Sequence, residues 1–403
     1  MVIIAVLFTV NIWQWQFISR RGRNRPQSSS EIIAISCRPG PWGEMEYVPI
    51  AIEMPDHFVT GEPPEVISWF FGSDSWSEVE EFIRACGLTS QQEETLLEPS
   101  KWETVPGGFR IRPPETIVWN LTPKARANLY RGLGLFIENP NQYDQFFVLP
   151  EDYGADFYDP EHLGEHLAFS GLKAETVELF KRLLYPAGHL VRFADQDLVL
   201  RTLSDRQEKV RFVKTVARQN TMLIKLRVNP NSDLEELMRY WGASGRAKDI
   251  RPLLESLARV SGGCKIDLAH LLPPFARQRI YTFPNPNGND TALTQDCHWS
   301  SFNFFKEIPE NDFFNPQEGG AKIEAEYDHI GINSGGARFG DLIFLQNTQG
   351  VMVHSAVFIA DDIVFTKNGA SAAQPWVFMK LDELLPIYEL PNGKLNLLVY
   401  RKK

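Results

Sequence analysis

Three apolar-rich runs in the last third of the chain constrain its fold more than any other feature. They read GDLIFLQ, MVHSAVFIA and DIVFTKNG, and they are separated by NTQG and by Asp361 and Asp362. Short runs of branched and aromatic residues bounded by turn residues are typical of strands, and connections this short join antiparallel neighbours. The pattern predicts an antiparallel meander with Asp361 and Asp362 in a hairpin turn. The run KLNLLVYRK closes the chain as a fourth strand.

The stretch DCHWSSFNFF, which precedes the meander, has a different period. Trp299, Phe302 and Phe305 recur at helical spacing, so they would form one apolar face. We therefore expect a helix that begins at Cys297. A helix followed by a small antiparallel sheet places the C-terminal third in the α+β class.

Helix signals dominate residues 26 to 265. AETVELFKRLL carries apolar residues at three-to-four spacing, and the two glycines after RPLLESLARVS form a natural helix stop. Beyond them the chain changes to Pro-rich loops and then to β-type alternation, so a domain boundary is expected near residue 265. This divides the chain into a helix-rich domain of unknown role, 26–265, and a C-terminal domain, 266–403. The predicted helix starts are Thr89 or Ser90, Pro160, Ser204 with Gln207, and Ser232 with Glu235.

Charge and cysteine usage exclude several classes of protein. The chain has 51 acidic and 41 basic residues, a net charge of −10, and no long basic stripe, so nucleic acid is not an expected partner. The four cysteines are widely spaced and form no C-x-x-C pair, which argues against a zinc ribbon or a disulfide scaffold. They are Cys37, Cys86, Cys264 and Cys297.

The first 25 residues predict membrane association. Residues 2–18 are mostly apolar and contain two tryptophans, which suit a membrane interface, and a cluster of four arginines follows them. Positive charge after the apolar run is the reverse of a secretory signal peptide. By the positive-inside rule, this charge would leave the bulk of the chain cytoplasmic. The side of the membrane on which the chain lies stays open.

Cys297 is the candidate nucleophile. A thiol at a helix start feels the positive end of the macrodipole, and the free amides there can hold an oxyanion. A nucleophile also needs a base, and His298 is poorly placed because successive helix side chains point about 100° apart. His354 opens a strand of the meander and is the better base. Thr366 and Asn368 share a face of the next strand and could orient the imidazole.

A wider pattern surrounds these residues: Tyr281, then Asp296-Cys297, then Gly340-Asp341 before a strand, then His354. This order resembles that of the NlpC-like cysteine peptidases of bacterial cell walls, which have a compact papain-like fold. The resemblance covers roughly residues 275 to 403. It departs from the family after the cysteine, where His298 and Trp299 replace small residues, and after the tyrosine, where a glycine pair is absent.

The resemblance implies the role of each site residue. Cys297 would be the nucleophile, His354 the general base, Thr366 or Asn368 the orienting residue, and Tyr281 a contributor near the oxyanion. The expected reaction is cleavage of an amide bond in a peptidoglycan stem peptide, without a cofactor. A peptide or muropeptide would be the substrate, and the cell envelope the location.

Two alternatives stay open. HLGEH contains the H-x-x-E-H pattern of inverted zinc peptidases, in which His162 and His166 would bind metal and Glu165 would act on water. Gly164 weakens the helix that must hold both ligands on one face. The second alternative is a catalytically silent binding module built on the same papain-like fold.

Overall fold

The structure of the protein, a computed structural model, describes residues 34–59, 66–142, 156–284, 295–311, 316–331 and 334–403. The chain divides into two compact units, Met1–Ile35 and Ser36–Lys403. The predicted membrane segment, residues 2–18, lies outside the described residues. Within these described ranges, no helix combines the length and the apolar character needed to span a bilayer.

Helices and strands are mixed along the described chain, which confirms the α+β class. The helices are α1 (Trp76–Ala85), α2 (Ser90–Leu96), α3 (Glu115–Trp119), α4 (Pro123–Leu133), α5 (Leu163–Ala168), α6 (Ala174–Leu183), α7 (Gln196–Thr202), α8 (Arg206–Val216), α9 (Leu234–Trp241), α10 (Ala247–Ala258), α11 (Pro274–Arg279), α12 (Cys297–Phe302), α13 (Pro316–Glu326) and α14 (Leu381–Asn392). The strands are β1 (Ile35–Ser36), β2 (Glu44–Ile52), β3 (Trp69–Phe71), β4 (Trp102–Val105), β5 (Gly108–Ile111), β6 (Asp156–Tyr158), β7 (Tyr185–Ala187), β8 (Leu190–Phe193), β9 (Gln219–Val228), β10 (Cys264–Asp267), β11 (Tyr327–Gly331), β12 (Leu342–Gln346), β13 (Met352–Ala360), β14 (Ile363–Lys367), β15 (Trp376–Lys380) and β16 (Asn396–Lys402).

The C-terminal sheet contains the predicted meander. Its strand order is β11-β16-β12-β13-β14-β15, and all of its pairs are antiparallel. Strands β12, β13 and β14 follow one another as predicted, and Asp361 in the last hairpin turn has a left-handed φ of 58°. The fourth predicted strand is β16, which pairs with β12. Strands β11 and β15, which the sequence reading missed, form the two edges.

Two helices cover opposite faces of this sheet. Helix α12 begins at Cys297, as predicted, but ends at Phe302 rather than Phe305. Its Trp299 and Phe302 pack with sheet residues such as Phe344 in one core cluster. Helix α14 packs against the other face, where Leu384 and Tyr388 join a separate cluster. Successive residues of β13 therefore face different helices.

Residues on both sides of the predicted domain boundary near residue 265 pack together in one core. Strand β9 lies between β2 and β10, so these strands form a sheet that crosses that position. This sheet shares its core with the C-terminal sheet. The hydroxyl of Thr221 bonds to both the carbonyl and the amide of Phe378, at 2.9 and 3.0 Å. The region before residue 265 is also not purely helical, because it contains two further small sheets, β3-β5-β4 and β6-β8-β7.

Helix starts were predicted to within a few residues. The Thr89 capping box is present, with reciprocal bonds to Gln92. At α8 and α9 the caps are Asp205 and Asp233 rather than the serines one position earlier, since an aspartate carboxylate caps as well as a hydroxyl. Helix α5 begins at Leu163, later than the predicted start at Pro160.

A buried ion pair lies in the core formed by residues between 69 and 216. Arg126 is fully buried and pairs with Asp195, which is 5% exposed. The Tyr130 hydroxyl donates to the same carboxylate at 2.6 Å, and a second Arg126 amine donates to the Val118 carbonyl at 2.7 Å. The pair connects α4 to the segment that precedes α7.

The Gly-Asp turn before β12 is a structural feature. Gly340 has a φ of 90°, and the Asp341 carboxylate accepts hydrogen bonds from the Arg338 amide at 2.8 Å and from Arg401 at 2.6 and 2.9 Å. We expect Asp341→Ala to lower the free energy of unfolding by about 2–3 kcal/mol, because it leaves these donors without their acceptor. Denaturant unfolding tests this, with Ala at the exposed Asp74 as the control, and an unchanged free energy would refute the structural role.

Candidate active site

His354 and Thr366 meet on one face of the C-terminal sheet. The Nε2 atom of His354 lies 2.8 Å from Thr366 Oγ1, and both side chains are buried. Thr366, not Asn368, therefore contacts the imidazole. The Asn368 amide group instead lies 3.4 Å from the Tyr388 hydroxyl and 3.7 Å from the sulfur of Met379.

Cys297 lies at the start of α12, against strand β13. The Asp296 carboxylate caps the helix by accepting from the Trp299 amide at 2.8 Å. The backbones of Ser355 and His298 act to lower the pKa of the thiol, so the sulfur lies close to both. Ser355 follows the candidate base in the sequence, so Cys297 lies close to the strand residue next to His354.

No hydrogen bond joins the Cys297 thiol to the His354 imidazole among the described residues. Alternation along β13 explains this: the Ser355 hydroxyl faces α12 and donates to Ser301 at 3.0 Å, whereas His354 faces α14. The Nδ1 atom of His354 is buried and has no hydrogen-bond partner within the described ranges. Nδ1 is therefore the ring nitrogen that remains available to take a proton.

Burial opposes charge on both groups. Burial, and then the Asp296 carboxylate, raise the pKa of the Cys297 thiol, against a smaller lowering effect from the Lys367 ammonium. Burial, and then the neighbouring His298, hold the pKa of His354 well below its usual value. The expectation that the helix start would make the thiol acidic is therefore wrong for this conformation, because loss of hydration outweighs the dipole of a six-residue helix. Thiol and imidazole are both uncharged near neutral pH.

The Tyr281 side chain is engaged by strand β9 and by Phe378. Its hydroxyl donates to the Met222 carbonyl at 2.8 Å, and its amide donates to the Trp376 carbonyl. Its ring packs edge-on against Phe378. The hydroxyl is therefore engaged by β9, and the structure shows no contact between Tyr281 and Cys297 among the described residues.

Tyr388 is the site residue that sequence reasoning missed. Its ring stacks on the His354 imidazole, with centroids 4.1 Å apart and an interplanar angle of 30°. Burial, and then the Cys297 and Asp296 side chains, raise the pKa of Tyr388, so its phenol lies close to the start of α12. The available signal was the apolar spacing in LDELLPIYEL, which Pro386 within this stretch obscured.

The residues of the zinc alternative are separated. The His166 ring is buried and its Nε2 lies 2.7 Å from the Thr215 carbonyl oxygen. His162 is exposed and pairs with Asp159 at 2.9 Å. In the part of the chain that the structure describes, no group of three or more His, Cys, Asp or Glu side chains could hold a metal ion. The His162, Glu165 and His166 hypothesis therefore has no geometric support.

Searches of protein-family models, of curated proteins and of solved structures each returned no match to this chain.

The burial of His354 predicts a pH dependence of stability. Its folded-state pKa lies below the unfolded value of about 6.5, so below that pH the unfolded chain binds a proton that the folded chain does not. The free energy of unfolding should therefore fall with decreasing pH below about 6.5, and His354→Gln should reduce this slope by up to about 1.4 kcal/mol per pH unit. Denaturant unfolding between mildly acidic and neutral pH measures it, with Gln at the exposed His189 as the control. Equal slopes for wild type and His354→Gln would contradict the assignment of a buried neutral imidazole.

Proposed function

We propose that this protein is a cysteine hydrolase that cleaves an amide bond, with Cys297 as nucleophile and His354 as general base. One observation carries the proposal. Thr366 holds Nε2 of His354, while Nδ1 is buried without a hydrogen-bond partner among the described residues, and the next strand residue, Ser355, lies close to the thiol. An orienting group, a base and a nucleophile in this order are what covalent catalysis by a thiol requires.

The mechanism starts from the neutral pair, and it requires the Cys297 thiol, which makes no hydrogen bond to His354 among the described residues, to turn towards Nδ1. As the Cys297 sulfur attacks the amide carbonyl, its proton passes to Nδ1 of His354, and Nε2–H donates to Thr366 Oγ1. Backbone amides at the start of α12 would hold the oxyanion. The imidazolium then gives its proton to the leaving amine, which departs and leaves a thioester on Cys297. His354 next takes a proton from water, the hydroxide attacks the thioester, and the acid product leaves as the thiol is restored.

The substrate class follows from the resemblance to the NlpC-like peptidases. We propose a stem-peptide endopeptidase or amidase that acts on peptidoglycan fragments at the cell envelope. The N-terminal 25 residues would associate with the membrane. Digestion of a muropeptide mixture, followed by chromatography and mass spectrometry, tests this substrate class, and unchanged fragment masses would exclude it.

Thr366 provides a test of the orienting role. Thr366→Val keeps the shape of the side chain but removes the oxygen that accepts from Nε2, so kcat should fall by about 10–100-fold with little change in KM. Thr366→Ser keeps the oxygen and should retain most of kcat. Steady-state kinetics on a cleaved muropeptide measures both variants. Equal activity of the Val and Ser variants would show that Thr366 does not orient the base.

Burial of the sulfur favours a second candidate, a catalytically silent module that binds a peptide. Cys297 is only 4% exposed and burial raises the pKa of its thiol, as expected for a packing residue. Calorimetry with muropeptides distinguishes the two candidates. Binding without turnover that is unchanged in Cys297→Ser would support the silent module and contradict the hydrolase.

A further inference from the structure

Tyr388 contacts the proposed base from helix α14. We propose that Tyr388 is a positioning residue whose ring face stabilises the imidazolium formed when His354 takes the Cys297 proton. The inference rests on the proposed function, and it adds a residue that lies outside the pattern shared with the NlpC-like peptidases.

The imidazole is held on two sides. Thr366 fixes its Nε2 edge at 2.8 Å, and the Tyr388 ring covers one face at a centroid distance of 4.1 Å. His354 is fully buried and Tyr388 is 1% exposed, so neither ring can turn without disturbing the core. This arrangement fixes the orientation of the imidazole, and a base of fixed orientation is what efficient proton transfer needs.

The chemical argument concerns where positive charge develops. Burial and His298 disfavour a charged His354, and no ion pair links this imidazole to a carboxylate among the described residues. A cation over the face of an aromatic ring is attracted by its quadrupole, most strongly where water is excluded. The Tyr388 ring therefore stabilises the protonated form at the moment of transfer. The titratable groups around the site are Asp296, Cys297 and His298 at the start of α12, Lys367 on β14 and Tyr388 itself.

The Tyr388 hydroxyl has a separate role. It lies 3.4 Å from the Asn368 Oδ1 atom, to which it donates, and Asn368 in turn contacts Met379 at 3.7 Å. Asn368 therefore bonds the Tyr388 hydroxyl, whereas Thr366 bonds the His354 ring. The substitution Tyr388→Phe distinguishes the two parts of the side chain, because it keeps the ring face and removes only the hydroxyl.

The test is the rate of alkylation of Cys297 by iodoacetamide, mapped by mass spectrometry of peptides. In this reaction the sulfur displaces iodide and its proton passes to His354, so no peptide substrate is needed. Near neutral pH we expect Tyr388→Phe to react within about twofold of wild type and Tyr388→Leu to react about tenfold more slowly. At alkaline pH hydroxide removes the proton directly, and the rates should converge. Tyr388→Met serves as a second apolar variant should the leucine variant fold poorly.

The alkylation rates of Tyr388→Leu and His354→Ala, each compared with wild type, distinguish failure of this inference from failure of the proposed function. A Tyr388→Leu variant that reacts as fast as wild type or faster near neutral pH would mean that Tyr388 only fills or covers the site, and it would overturn this inference. His354→Ala, assayed in parallel, should react more slowly than wild type. If His354→Ala is slow while Tyr388→Leu is unaffected, only the inference fails, whereas a His354→Ala rate equal to wild type contradicts the proposed function itself.

Discussion

Cys297→Ala is expected to abolish amide hydrolysis, lowering kcat by about a thousandfold or more. The reason is chemical: without the sulfur no thioester can form, and the remaining donors at the start of α12 cannot replace the covalent step. Steady-state assay of muropeptide cleavage, with circular dichroism to confirm folding, measures the effect. His354→Ala should give a loss of similar size, because nucleophile and base act as one unit.

Cys86 supplies a matched control for this loss. Its thiol is also buried, at 1% exposure, and burial raises its pKa to about 12, but it lies in the other core and donates to the Phe82 carbonyl at 3.2 Å. Cys86→Ala should therefore cost stability through a similar cavity and leave kcat unchanged. Cleavage that survives Cys297→Ala, or that is lost equally in Cys86→Ala, would contradict the assignment of Cys297 as the nucleophile.

Asp195→Ala should lower the free energy of unfolding by about 3–5 kcal/mol, the largest stability effect that we expect from a single substitution. The carboxylate is almost fully buried with Arg126, and removing it leaves an uncompensated guanidinium in the core and a Tyr130 hydroxyl without its acceptor. Denaturant unfolding followed by tryptophan fluorescence measures the change.

An exposed ion pair provides the comparison for Asp195. Arg84 and Glu80 lie 2.7 Å apart on the surface of α1, where water and salt screen their attraction. Glu80→Ala should therefore change the free energy of unfolding by less than about 1 kcal/mol. Similar small effects for Asp195→Ala and Glu80→Ala would show that the buried pair does not stabilise the fold as its geometry implies.

Local patterns in the sequence predicted four of the six strands of the C-terminal sheet, because the signals for strands and turns lie in adjacent residues. The apolar run of β13, the turn at Asp361 and the helix start at Cys297 each depend on a few adjacent residues. The predicted domain boundary near residue 265 depended on a different kind of evidence. It relied on a change of composition, whereas the pairing of β9 with β2 joins residues more than 150 positions apart, which no local pattern records.

In the candidate site, too, local patterns predicted some features and not others. The hydrogen bond between His354 and Thr366 follows from the register of two neighbouring strands, so alternation placed both residues on one face. The direction of the thiol pKa shift did not follow, because it depends on burial contributed by several elements. Tyr388 was missed because it comes from a helix about thirty residues further along the chain, packed on the opposite side from α12.

The separation of the Cys297 sulfur from Nδ1 of His354 tests the central claim most directly. It can be measured in a crystal structure of the protein reacted with a peptide aldehyde, which captures the nucleophile as a hemithioacetal. We predict that the sulfur carries the adduct and lies about 3–4 Å from Nδ1, within reach for proton transfer. A structure in which the sulfur stays unmodified, or lies too far from Nδ1 for proton transfer, would contradict the hydrolase.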